Sequence, residues 1–173
     1  MSDELPHSLS LTPAALSTGG SVHANTPEDA AIATEFLKKW DSQWTARDGH
    51  ALAALHTRDA VTVNRYGHPL VGREDTEKWL CAMLGSQGSF TDSTFPPMKL
   101  LLVRRVAPDV LVVQAEWSAP ALLPNGKVDP GRFNDMIITY VLVREGAKWL
   151  ATEIDPHNVE KMAAPFQQAH QES

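Results

Sequence analysis

Between residues 32 and 44 an apolar side chain returns every fourth position, as Ile32, Phe36, Trp40 and Trp44, with Ala33 and Leu37 alongside. That spacing predicts a helix with one apolar stripe facing inward. Its start is written in Thr26, an N-cap residue, followed by Pro27 at the first helical position and by Glu28 and Asp29, which complement the positive end of the helix dipole. Gly49 is the expected C-cap. A short second helix is expected over residues 50–56, where Leu52 and Leu55 share a face, and Asp59 marks the turn into a strand at 60–64. Residues 66–72 carry turn formers, and after Gly72 a third helix opens with Glu74 and Asp75 in its first turn. Thr76, Trp79, Leu80, Met83 and Leu84 form its buried face, and the glycines at 85 and 88 end it.

Beyond that point the period changes from helical to extended. Four strand-like runs follow, at 98–106, 110–119, 132–144 and 148–154. Ala107, Pro108 and Asp109 make one tight connection and Glu145, Gly146 and Ala147 another, as hairpins require. Between them, Pro124, Asn125 and Gly126, then Asp129, Pro130 and Gly131, mark a longer loop with two turns. Grouped helices before grouped antiparallel strands predict an α+β fold rather than a doubly wound sheet.

Composition narrows the picture. The 173 residues, 43% hydrophobic, suit one domain with a real core. We expect it over 26–160, with a flexible arm at 1–25 and a polar tail at 161–173. A net charge of −6 gives no reason to expect nucleic acid or an anionic membrane as partner. Cys81 is the only cysteine, which excludes an intramolecular disulfide and suits a reducing compartment. No run approaches the ~20 apolar residues of a membrane span, and the opening MSDELPH is acidic, so the expectation is a cytoplasmic protein. The histidines have no metal-binding spacing, and there is no dinucleotide fingerprint, phosphate loop or nucleophile elbow, so neither metal nor cofactor is expected.

Four stretches carry a family resemblance: WDSQWTARDGHALAALHTRDAVTV, YGHPLVGREDTEKWL, VRRVAPDVLVVQAEW and YVLVREGAKWLATEIDPHN. In their order they resemble the NTF2-like superfamily, most of all its SnoaL-like branch of the SgcJ/EcaC type. The resemblance implies a cone: N-terminal helices packed on a curved antiparallel sheet that encloses a small-molecule pocket, commonly in a homodimer. Members of that superfamily include steroid isomerases, polyketide cyclases, epoxide hydrolases and non-catalytic binders, so the fold does not select a reaction.

Candidate site residues follow from both readings. Lining up DAVTVNRYG with the first strand of ketosteroid isomerases puts Asn64 where they carry an aspartate base; a carboxamide accepts no substrate proton at neutral pH, but it can orient a carbonyl or a water. Asp155 and His157 share a face if their strand continues past Pro156, giving an oriented imidazole, the alternative being a strand-end cap or an exposed turn. Asn158 closes the His-Asn ending typical of the SgcJ/EcaC type. Glu116 and Asp135 lie within strand runs; either is a surface charge or, if it faces the cavity, an acid or base, and Asp135 lies nearer the expected pocket mouth. Trp44 and Tyr66, near element ends, and Trp40 and Trp79, on stripes that core packing also explains, are the candidate aromatic lining. Two functions remain open: an enzyme acting by acid/base chemistry on an apolar, polyketide-like metabolite (an isomerase or cyclase), and a binding module without turnover.

Overall fold

A computed structural model describes residues 23–24, 26–64, 66–86, 88, 90, 95–122 and 128–159. Most of the expected arm and tail lies outside them. The first helix, α1 (Pro27–Ala46), starts as its sequence demands, with Thr26 Oγ1 accepting the Asp29 N–H at 3.1 Å. It stops three residues before Gly49. Arg47 adopts the left-handed conformation, with φ 57°, and its N–H reaches back to the helix carbonyls. Gly49 instead opens a short helix, α2 (Gly49–Ala53), capped by Asp48. The reason is packing: a Cβ on Gly49 would come within 2.7 Å of the Cys81 nitrogen, so α2 can lie against the third helix only with glycine there.

The chain is then extended from residue 56, four residues before the expected strand start. We label the strands β1 (His23–Ala24), β2 (His56–Val63), β3 (Pro69–Val71), β4 (Lys99–Ala107), β5 (Val110–Leu122), β6 (Val128–Glu145) and β7 (Lys148–Asn158). Helix α3 (Arg73–Leu84) joins β3 to the long strands. The order across the sheet is β1-β4-β5-β6-β7-β2-β3, with β4 to β7 an antiparallel meander and parallel pairs at β1–β4 and β2–β7. The sheet is therefore mixed, curved and unclosed. Two expectations are amended. Residues 69–71, read as turn, pair with β2, and β7 runs on through Pro156 to Asn158. Proline is tolerated there because the last residue of β7 paired with β2 is Ile154, so the missing N–H falls where no strand adjoins on that side.

The helices cover one face of this sheet. Ala33, Phe36, Leu37, Trp40 and Trp44 of α1 pack with Leu80 and Leu84 of α3 against Val113, Ala115, Trp117, Ile138, Tyr140 and Leu142, all buried. A buried ion pair fastens the start of α1 to the sheet: Asp29 Oδ1 accepts from Arg105 Nε at 2.7 Å. Among the described residues, no helix is long and apolar enough to cross a membrane.

Candidate functional site

Strand alternation on β5, β6 and β7 sends Trp117, Met136, Ile138, Tyr140, Ile154 and Pro156 to the helix-covered face. With Trp40 and Trp44 of α1, one turn apart, and Thr76, Trp79, Leu80 and Met83 of α3, they surround a cavity of about 70 Å³. From β2 and its end, His56, Thr62, Val63 and Asn64 complete the wall. Aromatic rings limit its size: Trp44 packs on Trp117 at 5.2 Å and on Phe95 at 5.1 Å between ring centres, and Phe90 follows Phe95 at 5.6 Å.

His56 is the polar centre of this wall. It is fully buried, with its ring 5.4 Å from that of Trp40. Nδ1 lies 3.0 Å from the Leu52 carbonyl oxygen and 3.2 Å from that of Ala53. Both neighbours only accept, so Nδ1 bears the hydrogen and donates, which leaves Nε2 of the neutral ring as a bare acceptor. Burial holds the imidazole down at about pKa 4; the Arg73 guanidinium pushes the same way, against the two carbonyls. The ring is neutral at pH 7.

Among the described residues, six buried side-chain polar atoms have no hydrogen-bond partner, and four of them belong to cavity residues: Trp40 Nε1, Trp44 Nε1, His56 Nε2 and Thr62 Oγ1. Buried polar groups are ordinarily satisfied, and leaving one unmade costs about 1–3 kcal/mol. None of the four has surface on the cavity, whose exposed lining is apolar, so they are buried in the packing of its wall. Tyr140 is not among them, since its hydroxyl donates to Met98 Sδ at 3.2 Å. Burial, and after it the charge of Asp41, push the Tyr140 phenol well up, so it stays protonated. Asp41 is itself raised by burial and accepts the Met98 N–H at 3.0 Å.

The sequence candidates divide by the face they occupy. Trp40, Trp44, Asn64 and Trp79 line the cavity. Asn64 is mostly committed to the backbone, its Oδ1 accepting from Tyr66 N at 2.9 Å and His68 N at 3.1 Å, so it shapes the turn at the cavity's rim. Tyr66, in that turn, is 61% exposed and outside the lining, because the turn carries it away from the sheet. Asp135, Asp155 and His157 sit on the opposite face, one residue out of phase with Met136, Ile154 and Pro156. There His157 Nε2 meets Asp155 Oδ2 at 3.0 Å and Asp135 accepts from Ser118 Oγ at 2.5 Å. Glu116, on that face too, pairs with Lys99 at 3.7 Å, as a surface charge does. Asn158 is exposed at the strand end. The sequence reading did not single out His56, and alternation carried back from Asn64, Thr62 and Ala60 could not have found it, because Arg58 is exposed and the register of β2 shifts between His56 and Val61.

No protein-family profile matches the chain, and no curated protein matches it. Solved structures do. An uncharacterized protein with a cystatin-like fold from Caulobacter vibrioides matches with a TM-score of 0.67 at 18% identity, over 83% of this chain and 99% of its own. An NTF2-like protein with a cystatin-like fold from Novosphingobium aromaticivorans matches with a TM-score of 0.56 at 15% identity, over 81% and 88%. A ketosteroid isomerase-like protein from Erwinia carotovora atroseptica matches with a TM-score of 0.59 at 12% identity, over 79% and 100%. Helices on a curved open sheet and these likenesses together show that the chain has the NTF2-like fold.

Proposed function

We propose that this protein is a small-molecule-binding domain whose cavity takes an uncharged, mainly apolar molecule. The observation that carries the reading is a cavity of about 70 Å³ between the helices and the sheet whose exposed lining is wholly apolar. Among the described residues, no lining side chain is charged at neutral pH, which disfavours ions in a desolvated site. Titrating the protein with a panel of charged and uncharged fragments, followed by ligand-observed NMR, tests it. Saturable binding confined to uncharged fragments is expected; a panel in which none saturates would remove the reading.

Acid/base turnover, of isomerase or cyclase type, is the second reading. An imidazole in the cavity favours it, as does likeness to a ketosteroid isomerase-like protein. Against it stands the weak basicity of His56: a general base works best with a pKa near the operating pH, and this one lies well below. Membership of the SgcJ/EcaC type belongs to the same proposal, supported by Trp149 leading a strand that closes on His157 and Asn158. So does a homodimer. Its support is the sheet face turned away from the helices, where Val112, Ile137, Val141 and Val143 are only half-buried. Light scattering at micromolar concentration that found only monomer would remove that part alone.

A further inference from the structure

Chemistry and size together constrain what can fill the cavity between the helices and the sheet. Among the described residues no polar atom has surface on it, and it holds about 70 Å³. A water inside would find none of the hydrogen-bond partners that keep a buried water in place. A hydroxyl, carbonyl or amide would lose its hydration there and gain no hydrogen bond. Hydrocarbon enters without that loss.

Volume and the stiffness of the walls decide the shape of that hydrocarbon. The 70 Å³ here is less than half the ~150 Å³ of an engineered cavity that holds one benzene ring. The walls built from rings brace one another: Trp117 packs on Trp44 at 5.2 Å and on Phe95 at 5.6 Å, and Trp40 on Tyr140 at 5.4 Å, between ring centres. Close-packed walls yield to an oversized group only through strained rotamers and backbone shifts. The half-buried part of the lining is gathered at one end. Val63 and Pro156 follow the paired residues Thr62 and Ile154 at the ends of β2 and β7, and Trp79 and Met83 lie one turn apart on α3. All four are apolar, and the unbranched Met83 is the adaptable one. A slender apolar group can pass this end, reach the closed one and keep its remaining length against apolar surface.

We infer that the cavity takes the end of an unbranched alkyl chain, methyl first, with the polar part of the ligand left outside the Val63, Trp79, Met83 and Pro156 end, and that Trp117 is the residue that excludes rings. The inference rests on the small-molecule-binding reading and adds to it the shape and orientation of the ligand. The test uses the full chain, methyl-labelled at Ile and Met, and two pairs of uncharged probes. The first pair is n-hexanol and cyclohexanol; the second is ethylene glycol monobutyl ether and its isomer hexamethylene glycol, which has a hydroxyl at each end. Each affinity is divided by the probe's octanol–water partition coefficient, so that hydrophobicity alone gives a ratio of one. After that correction n-hexanol is expected to exceed cyclohexanol about tenfold, since the ring must displace packed side chains. The monobutyl ether should exceed hexamethylene glycol about tenfold, since the glycol can enter only behind a hydroxyl. Nuclear Overhauser contacts should join the n-hexanol methyl to Ile138 and its hydroxyl-bearing carbon to Met83. Trp117→Leu widens the wall and should bring cyclohexanol to the level of n-hexanol. With binding saturable, a ratio near one in either pair, or contact of the hydroxyl-bearing carbon with Ile138, would overturn the chain assignment and leave small-molecule binding standing. So would saturation by other uncharged fragments but by none of these four. Failure of every uncharged fragment to saturate would remove both readings. A folded Trp117→Leu that still excludes cyclohexanol would overturn the role given to Trp117. Should that variant not fold, the two ratios and the Overhauser contacts in the unmodified chain decide by themselves.

Discussion

Two histidines on opposite faces of the same sheet show how differently one side chain is used. His157 on β7 is exposed and paired with Asp155 at 3.0 Å, the arrangement that in a sequence suggests an oriented catalytic imidazole. Among the described residues, His56 on β2 has no carboxylate partner, only carbonyls at Nδ1, and its unpartnered Nε2 is buried within the cavity wall. The first is solvated, so its contact with Asp155 is weakly worth having. The second is desolvated, so each hydrogen bond it makes or lacks counts fully. Proximity of an acid and a base is thus a poorer guide to a site than burial beside an open space.

The sharpest break between the faces should come from Tyr140 and its strand neighbour Thr139. Tyr140→Ala removes a fully buried ring packed at 5.5 Å on Phe36 and 5.4 Å on Trp40, and should cost about 3–5 kcal/mol in urea unfolding. Thr139→Ala, on the other face, should cost less than about 1 kcal/mol. A Tyr140→Ala loss as small as that of Thr139→Ala would mean the helix-covered face is not the core.

Acidification should separate the two histidines next. The unfolded chain protonates His56 at its ordinary value of 6.5, whereas the folded chain does so only at about 4. Between these values the unfolded state binds more protons, so the stability present above pH 6.5 is lost as pH falls toward 4, by about 3 kcal/mol. His56→Asn should lack this part of the acid sensitivity, and His157→Asn should retain it. Unfolding curves at pH 7 and 4.5 for the three proteins decide, and identical slopes would place His56 in contact with water.

A smaller effect should distinguish shaping the rim from filling the cavity. Asn64→Ala deletes the acceptor of two backbone N–H groups and should cost about 1–2 kcal/mol, with backbone shifts in NMR spectra confined to residues 64–68. Shifts spread through the cavity instead would assign Asn64 to the ligand. The smallest effect is expected for His157→Ala, at most about 1 kcal/mol and falling with added salt, with no change in fragment binding. A loss of binding would return the site to the Asp155–His157 face.

The expected helices and long strands were legible because they follow from local period and capping. The stripe from Phe36 to Trp44, the Thr26 cap and the hairpin turns at 107–109 and 145–147 depend on neighbours within a few residues. Errors arose where distant packing overrode the local signal. Gly49 was read as a stop and is instead a seat for Cys81, and residues 69–71 form a strand because β2 lies beside them.

Of the site, Trp40, Trp44, Asn64 and Trp79 could be named from the sequence because they lie on stripes or at element ends. Asp135, Asp155 and His157 could be named as chemistry but not given a face, since a one-residue change of phase moves every side chain of a strand across the sheet. For His56 the sequence determined the residue and its place after a short helix. Only the tertiary structure decided that it is buried beside Trp40, that two carbonyls hold its hydrogen, and that its ring forms part of a cavity wall, because those conditions come from α1, α2 and α3 closing over β2.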